Sequence, residues 1–92
     1  MIYRRSANFK KAFKALPKTI QEKAAKAFSL FQANPQHPSL GVKKIKGRDN
    51  IWEGRIDDFY RFTFEYQIDE DSDEKICFFR NIGRHDILDH NP

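Results

Sequence analysis

Two arginines, Arg55 and Arg61, stand in IWEGRIDDFYRFTFEY (residues 51–66), where apolar and polar residues alternate on either side of an acidic turn. A guanidinium is a planar, permanently charged fork of donors, so two of them side by side form a natural clamp for a phosphate. More cations lie just upstream: Lys43, Lys44 and Lys46 in KKIKGR, followed by Arg48. His85, in RNIGRHDIL beside Arg84, carries an imidazole, a kind of group that can donate or accept a proton, which no neighbouring arginine or lysine readily does. His37, in a proline-rich loop, makes a weaker claim of the same kind. His90 lies two residues from the end and is read as uninvolved.

No other constellation competes. The single cysteine, Cys77, excludes an internal disulfide and a cysteine zinc site, and its neighbours Phe78 and Phe79 suit a packed hydrophobe rather than a nucleophile. No metal-ligand set is present, and the glycines at 41, 47, 54 and 83 are too scattered to cradle a phosphate. No cofactor is implied. No apolar run has membrane length and none resembles a secretory segment, so a reducing cytoplasm without membrane attachment is the expected setting.

Charge is divided unevenly along the chain. Residues 1–48 hold twelve Lys or Arg and one acid, Glu22, whereas residues 49–92 hold five basic and twelve acidic side chains. The basic half attracts polyanions without specifying any sequence or reaction. An equally good reading of its first thirty residues is a solvated lysine face on two helices.

Ninety-two residues, nine of them Phe, suffice for one domain (1–92) with a modest core. Met1 to Arg5 reads as a short strand, after which Ser6 caps a helix with Phe9, Phe13 and Leu16 on its apolar side. Pro17 starts a second helix, carrying Ile20, Ala24, Ala27, Phe28 and Phe31, which Asn34 and Pro35 end. The helices should form an antiparallel hairpin. Strands are expected over Val42–Lys46, Ile51–Ile56, Tyr60–Gln67 and Lys75–Ile82, with the acidic run DEDSDE as an exposed turn and Gly83 breaking the last strand. Arg84 to Pro92 reads as a short helix or tail. The fold class is α+β: a mostly antiparallel sheet of four or five strands with the helical hairpin on one face.

Parity sets the register of the central hairpin. Tyr60, Phe62, Phe64 and Tyr66 must share a face with Trp52, Gly54 and Ile56, and a three-residue loop, Asp57–Phe59, achieves this. Arg55 then stands opposite Arg61, with Cβ atoms about 5 Å apart. Like charges so placed destabilise a sheet by under about 1 kcal/mol, so something must offset them. Glu53 and Asp57, on the same face, are one candidate; a bound phosphate is the other. Lys44 and Lys46, spaced two apart, would add cations to that face, with Lys43 turned away.

The order of these features resembles a known family. LxxKKIKG, WxxRI and YRFxFxY followed by NIGRHDIL, behind a strand and two basic helices, is similar to the RelE/ParE superfamily of toxins from type II toxin–antitoxin modules, over nearly the whole chain. HPSLG with RNIGRHDIL resembles the histidine-using YafQ branch, whose active-site histidines match His37 and His85. Arg55 and Arg61 resemble the paired arginines of RelE and YoeB, and Lys44 and Lys46 the lysines of the adjacent RelE strand. The C-terminal Tyr of RelE is absent, and an arginine stands where YafQ has a hairpin histidine.

The resemblance implies a small RelE-like fold and metal-independent cleavage of mRNA in the ribosomal A site, by attack of a ribose 2′-OH on its own 3′ phosphate. In that role His85 would be the acid, Arg55 and Arg61 would stabilise the phosphorane, and His37 or Glu53 would be the base. Lys43, Lys44, Lys46, Arg48 and Arg84 would contact RNA. The implied partners are a cognate antitoxin protein, the ribosome and mRNA. Two other functions fit the same fold: a ParE-like DNA gyrase inhibitor, and a non-toxic relic that only binds RNA or an antitoxin.

Overall fold

The computed structural model describes residues 1–92. Its elements are β1 (Ile2–Arg5), α1 (Ala7–Ala15), α2 (Lys18–Ala33), a 3₁₀ turn (Pro38–Leu40), β2 (Lys43–Lys44), β3 (Trp52–Arg55), β4 (Tyr60–Ile68), β5 (Lys75–Arg84) and α3 (Ile87–His90). The five strands form one sheet in the order β1-β5-β4-β3-β2. Only β1 runs parallel to its neighbour, β5; the other pairs are antiparallel. The fold is therefore the expected α+β arrangement with its full five strands.

The helices lie together on one sheet face because their apolar positions recur at helical spacing. Phe9 packs at a tilt against Phe28, 5.9 Å between ring centres, and the Gln21 side chain donates to the Phe13 carbonyl at 3.1 Å, which pairs α1 with α2 antiparallel. Beneath them Phe31 meets Phe64 at 5.0 Å, Phe28 meets Phe62 at 5.2 Å and Phe9 meets Phe79 at 5.4 Å. This aromatic layer is the core. Cys77 lies within it, and burial pushes its thiol up to about 12, with Lys75 pulling weakly the other way. The thiol stays protonated and serves as packing.

An irregularity in β5 ties the first helix to the sheet. Thr63 pairs with Asn81 but Phe64 pairs with Phe79, so Arg80 is an extra residue bulged out of the ladder. Its freed carbonyl accepts from Ser6 Oγ at 2.8 Å and Asn8 Nδ2 at 3.3 Å. The same Ser6 Oγ accepts from the Phe9 N–H at 2.9 Å and so caps α1. Ser6→Ala loses both bonds at once and is expected to cost about 1–2 kcal/mol in urea unfolding with an unchanged m-value. A loss below about 0.5 kcal/mol would mean the bulge holds without the cap.

Two expectations need correction here. The last strand does not stop at Gly83 but continues to Arg84. Gly83 keeps its ladder position opposite Arg61, and its missing side chain makes room for α3: a Cβ there would sit 3.0 Å from Ile87 Cγ2. Secondly, β2 is two residues rather than five, although one further bond, from the Ile45 N–H to the Ile51 carbonyl at 2.8 Å, prolongs its pairing. Ile45 is buried, and Gly47 turns the chain back with a left-handed backbone.

The second face of the sheet is half covered. The Asn81 side chain donates to the Asn91 carbonyl at 2.6 Å and Arg80 Nε to the Pro92 carbonyl at 3.1 Å, drawing the C-terminal residues across β5. Arg80 also pairs with Glu65, and Thr63 is fully buried on this face. The face over β3 and the start of β4 stays open.

Candidate active site

The hairpin register is Trp52↔Phe64, Glu53↔Thr63, Gly54↔Phe62 and Arg55↔Arg61. Because paired residues share a face, Glu53, Arg55 and Arg61 point away from the helices together. The turn that enforces this is built by Asp57, whose Oδ1 accepts from the N–H groups of Phe59 at 2.8 Å and Tyr60 at 2.9 Å. Its Oδ2 meets Lys23 at 3.4 Å.

Burial pushes the Asp57 carboxyl up, but the two backbone N–H bonds and Lys23 outweigh it and hold the group below the usual carboxylate range. A depressed folded value stabilises the protein above the ordinary carboxylate range, and that contribution disappears as the pH falls through the folded value. The gap in stability between the native protein and Asp57→Asn is therefore expected to be widest at neutral pH and to close as the pH falls below the ordinary carboxylate range. Denaturant midpoints of both proteins across that range would reveal a constant gap if the carboxylate charge were unimportant.

Each arginine has its own tie to this turn. Arg61 Nη1 donates to the carbonyls of Asp57 at 2.6 Å and Tyr60 at 3.0 Å, with no carboxylate opposite it. Its other donors remain free. Arg55 Nη2 pairs instead with Asp58. The offset to the facing charges thus comes from the Asp58 carboxylate and two backbone carbonyls, not from the carboxylates of Glu53 or Asp57. With Arg55 47% and Asp58 78% exposed, the pair contributes under about 1 kcal/mol, and a phosphate can displace it.

The lysines are arranged opposite to expectation. Lys43 pairs with Glu53 and so joins the arginine face, whereas Lys44 pairs with Trp52 and lies over its ring at 5.8 Å on the helix side. Lys46 falls beyond the strand, exposed beside Gly47, and Arg48 is exposed in the same connection. Residues 45–51 form a loop long enough to permit either parity, and the observed pairing of Lys43 with Glu53 is the one that sends Lys43 outward.

Of the groups able to move protons, Glu53 lies on the arginine face and His85 stands in the turn that follows β5, against the hairpin loop. The His85 N–H donates to the Phe59 carbonyl at 2.9 Å, continuing the β4–β5 pairing by one step and giving His85 the parity of Gly83 and Arg61. Arg84 has the opposite parity, 5.7 Å from both Phe59 and Tyr60. Glu53 is half-buried with no hydrogen-bond or ion-pair partner, and Lys43 stands across from it.

His37 is occupied otherwise. Its Nδ1 accepts from the Ser39 N–H at 3.2 Å and lies 2.8 Å from Ser39 Oγ, capping the 3₁₀ turn. The neutral ring then carries its proton on Nε2, which leaves a donor rather than a base facing outward. No three His, Cys, Asp or Glu side chains converge as metal ligands.

Sequence reasoning missed Asp58 and the α2 lysines. Lys23 and Lys26, three apart on one side of α2, line a cavity together with Ser39 and Arg55. Their spacing was legible; the strand they would meet was not.

An antiparallel hairpin flanked by β2 and β5, with β1 parallel at the far edge and two helices beneath, is an arrangement that solved toxin structures share. No protein-family model matches the chain, and no curated protein matches it in sequence. Solved structures do. A YoeB/ParE toxin from Agrobacterium tumefaciens superposes with a TM-score of 0.71 at 15% identity, covering 92% of this chain and 99% of its own. YafQ from E. coli strain BL21(DE3) gives 0.72 at 14% identity, with 94% of each chain covered. A chain of the RelB-RelE antitoxin-toxin complex from Methanococcus jannaschii gives 0.66 at 23% identity over 97% of this chain and 99% of that one. At such identities the likeness establishes a shared fold.

Proposed function

We propose that this chain is the toxin of a toxin–antitoxin pair and cleaves mRNA on the ribosome without a metal. The observation that carries the reading is the pairing of Arg55 with Arg61 on an open sheet face that Glu53 shares, with the backbone of His85 bonded to the hairpin loop at Phe59. Glu53, unpaired and half-buried, takes the proton of a ribose 2′-OH as its oxygen attacks the adjacent 3′ phosphorus. Arg61 and Arg55 donate to the equatorial oxygens, where negative charge accumulates. His85 gives a proton to the departing 5′ oxygen, so the products are a 2′,3′-cyclic phosphate and a 5′-hydroxyl. Lys43 holds the RNA backbone at the β2 edge.

Solved neighbours that include an antitoxin-toxin complex support an antitoxin as partner, and the proposed reaction places the action in the cytoplasm, where ribosomes and mRNA are. No helix is long and apolar enough to cross a membrane. Expression in growing cells tests the reading. Translation should halt first, and primer extension on translated messages should reveal new 5′ ends. Elongated cells with a DNA-damage response and intact messages would instead identify gyrase inhibition, and neither response would identify a toxin that has lost activity.

A further inference from the structure

The clamp has a neighbour on the helix side. Ahead of the first residue of β2 the edge of β3 at Gly54 and Arg55 is unpaired, and there a cavity of about 260 Å³ opens between α2, the 3₁₀ turn and the hairpin. Three cations, Lys23, Lys26 and Arg55, stand at it; Leu30, Leu40 and Ile56 line it with apolar surface. Ser39, held by His37, supplies a hydroxyl.

These cations are not equally committed. Lys23 is paired with Asp57 and Arg55 with Asp58, whereas Lys26 forms no ion pair. An apolar lining with a free cation and a hydroxyl beside it matches the two halves of a nucleotide: a flat base against the leucines and isoleucine, and a phosphate on Lys26. Arg55 lies in both places, at this cavity and opposite Arg61.

We propose that this cavity is a second RNA subsite, which holds the nucleotide next to the one clamped by Arg61, with Arg55 shared between the two phosphates. The proposal rests on the reading of the protein as an RNA-cleaving toxin. It makes Lys26 and the apolar lining determinants of which nucleotide is accepted beside the cut, while the chemistry stays on the open face.

The test uses the full chain and a short single-stranded RNA with 2′-O-methyl riboses, which cannot be cut by 2′-OH attack. Lys26 is exposed and makes no ion pair, so Lys26→Ala keeps the fold. Lys26→Ala should weaken binding roughly fivefold and lower the slope of log affinity against log salt by about 0.7, the release expected for one phosphate on a single strand. Lys10→Ala, which removes an exposed charge from α1 outside the cavity, should stay within about twofold of the native protein.

A photoreactive base in the same RNA should crosslink to the peptide containing Leu30 or to that containing Leu40. Native-like binding by Lys26→Ala, with binding lost in Arg61→Ala, would overturn the second subsite and leave the proposed function standing. Loss in neither variant, or no binding by the native protein at low salt, would overturn both. Unchanged RNA binding with weakened capture of an acidic antitoxin segment by Lys26→Ala would assign the cavity to protein and overturn the subsite.

Discussion

Gly54→Ala is expected to cost more than about 3 kcal/mol of stability, a large share of what a domain of this size possesses. Gly54 is buried in β3 directly opposite Phe62, and a Cβ built on it would lie 2.1 Å from Phe62 Cζ and 2.4 Å from Cε1. No rotation of a flexible tip relieves this. The ring is held edge-on by Phe28 at 5.2 Å and Phe31 at 5.6 Å and is completely buried, so either the strand or the aromatic layer must move. Urea unfolding of the single variants and of Gly54→Ala with Phe62→Leu measures the coupling: the double variant should lose less than the sum of the two single losses. Independent, additive losses would mean that the glycine is required for some reason other than the ring. Because Gly54 stands between Glu53 and Arg55, the same shift would displace both from the open face.

The second large effect belongs to Arg61. If the chain has the activity proposed above, Arg61→Ala is expected to lower message cleavage by about 10²–10³-fold at equal expression, the range seen when one preorganised donor to a developing anion is removed. Its stability loss should stay near 1 kcal/mol, because the side chain donates only to two turn carbonyls and takes no part in the core. Arg55→Ala should be milder, since Asp58 already draws on that guanidinium. Arg61→Lys should not restore the native rate, because an ammonium lacks the planar fork. Primer extension over a time course, paired with growth curves, checks all three. Full growth arrest by Arg61→Ala would remove this arginine from the chemistry.

The hairpin was legible in the sequence for a definite reason. Side chains in a strand alternate with a period of two, and a loop of three residues leaves a single parity that keeps Phe62 and Phe64 on the side of Trp52 and Gly54. From this the facing of Arg55 and Arg61 follows without any knowledge of the helices. The caps were legible on similar grounds: Ser6 before an amphipathic run, and Asn34 with Pro35 after one, act through neighbouring backbone groups.

The lysines were not legible in this way. Lys44 and Lys46 have the spacing of one strand face, but β2 ends after Lys44, and its register across the loop 45–51 is fixed only by its pairing with β3. Lys43 therefore takes the place beside Glu53. Gly83 carried a breaker signal, yet the ladder with β4 and the space needed by Ile87 keep it within the strand. Nothing local announces the bulge at Arg80, which exists because its carbonyl has partners in Ser6 and Asn8, more than seventy residues away.

Composition, periodicity and loop length were thus enough for the class of fold, the order of its elements and the opposed arginines, since each depends on residues close together in the chain. Which other charges join those arginines depends on strand register across a long loop and on where α2 docks. Asp58, Lys43 and Lys26 take their places through those long-range contacts, and no local pattern in the chain encodes them.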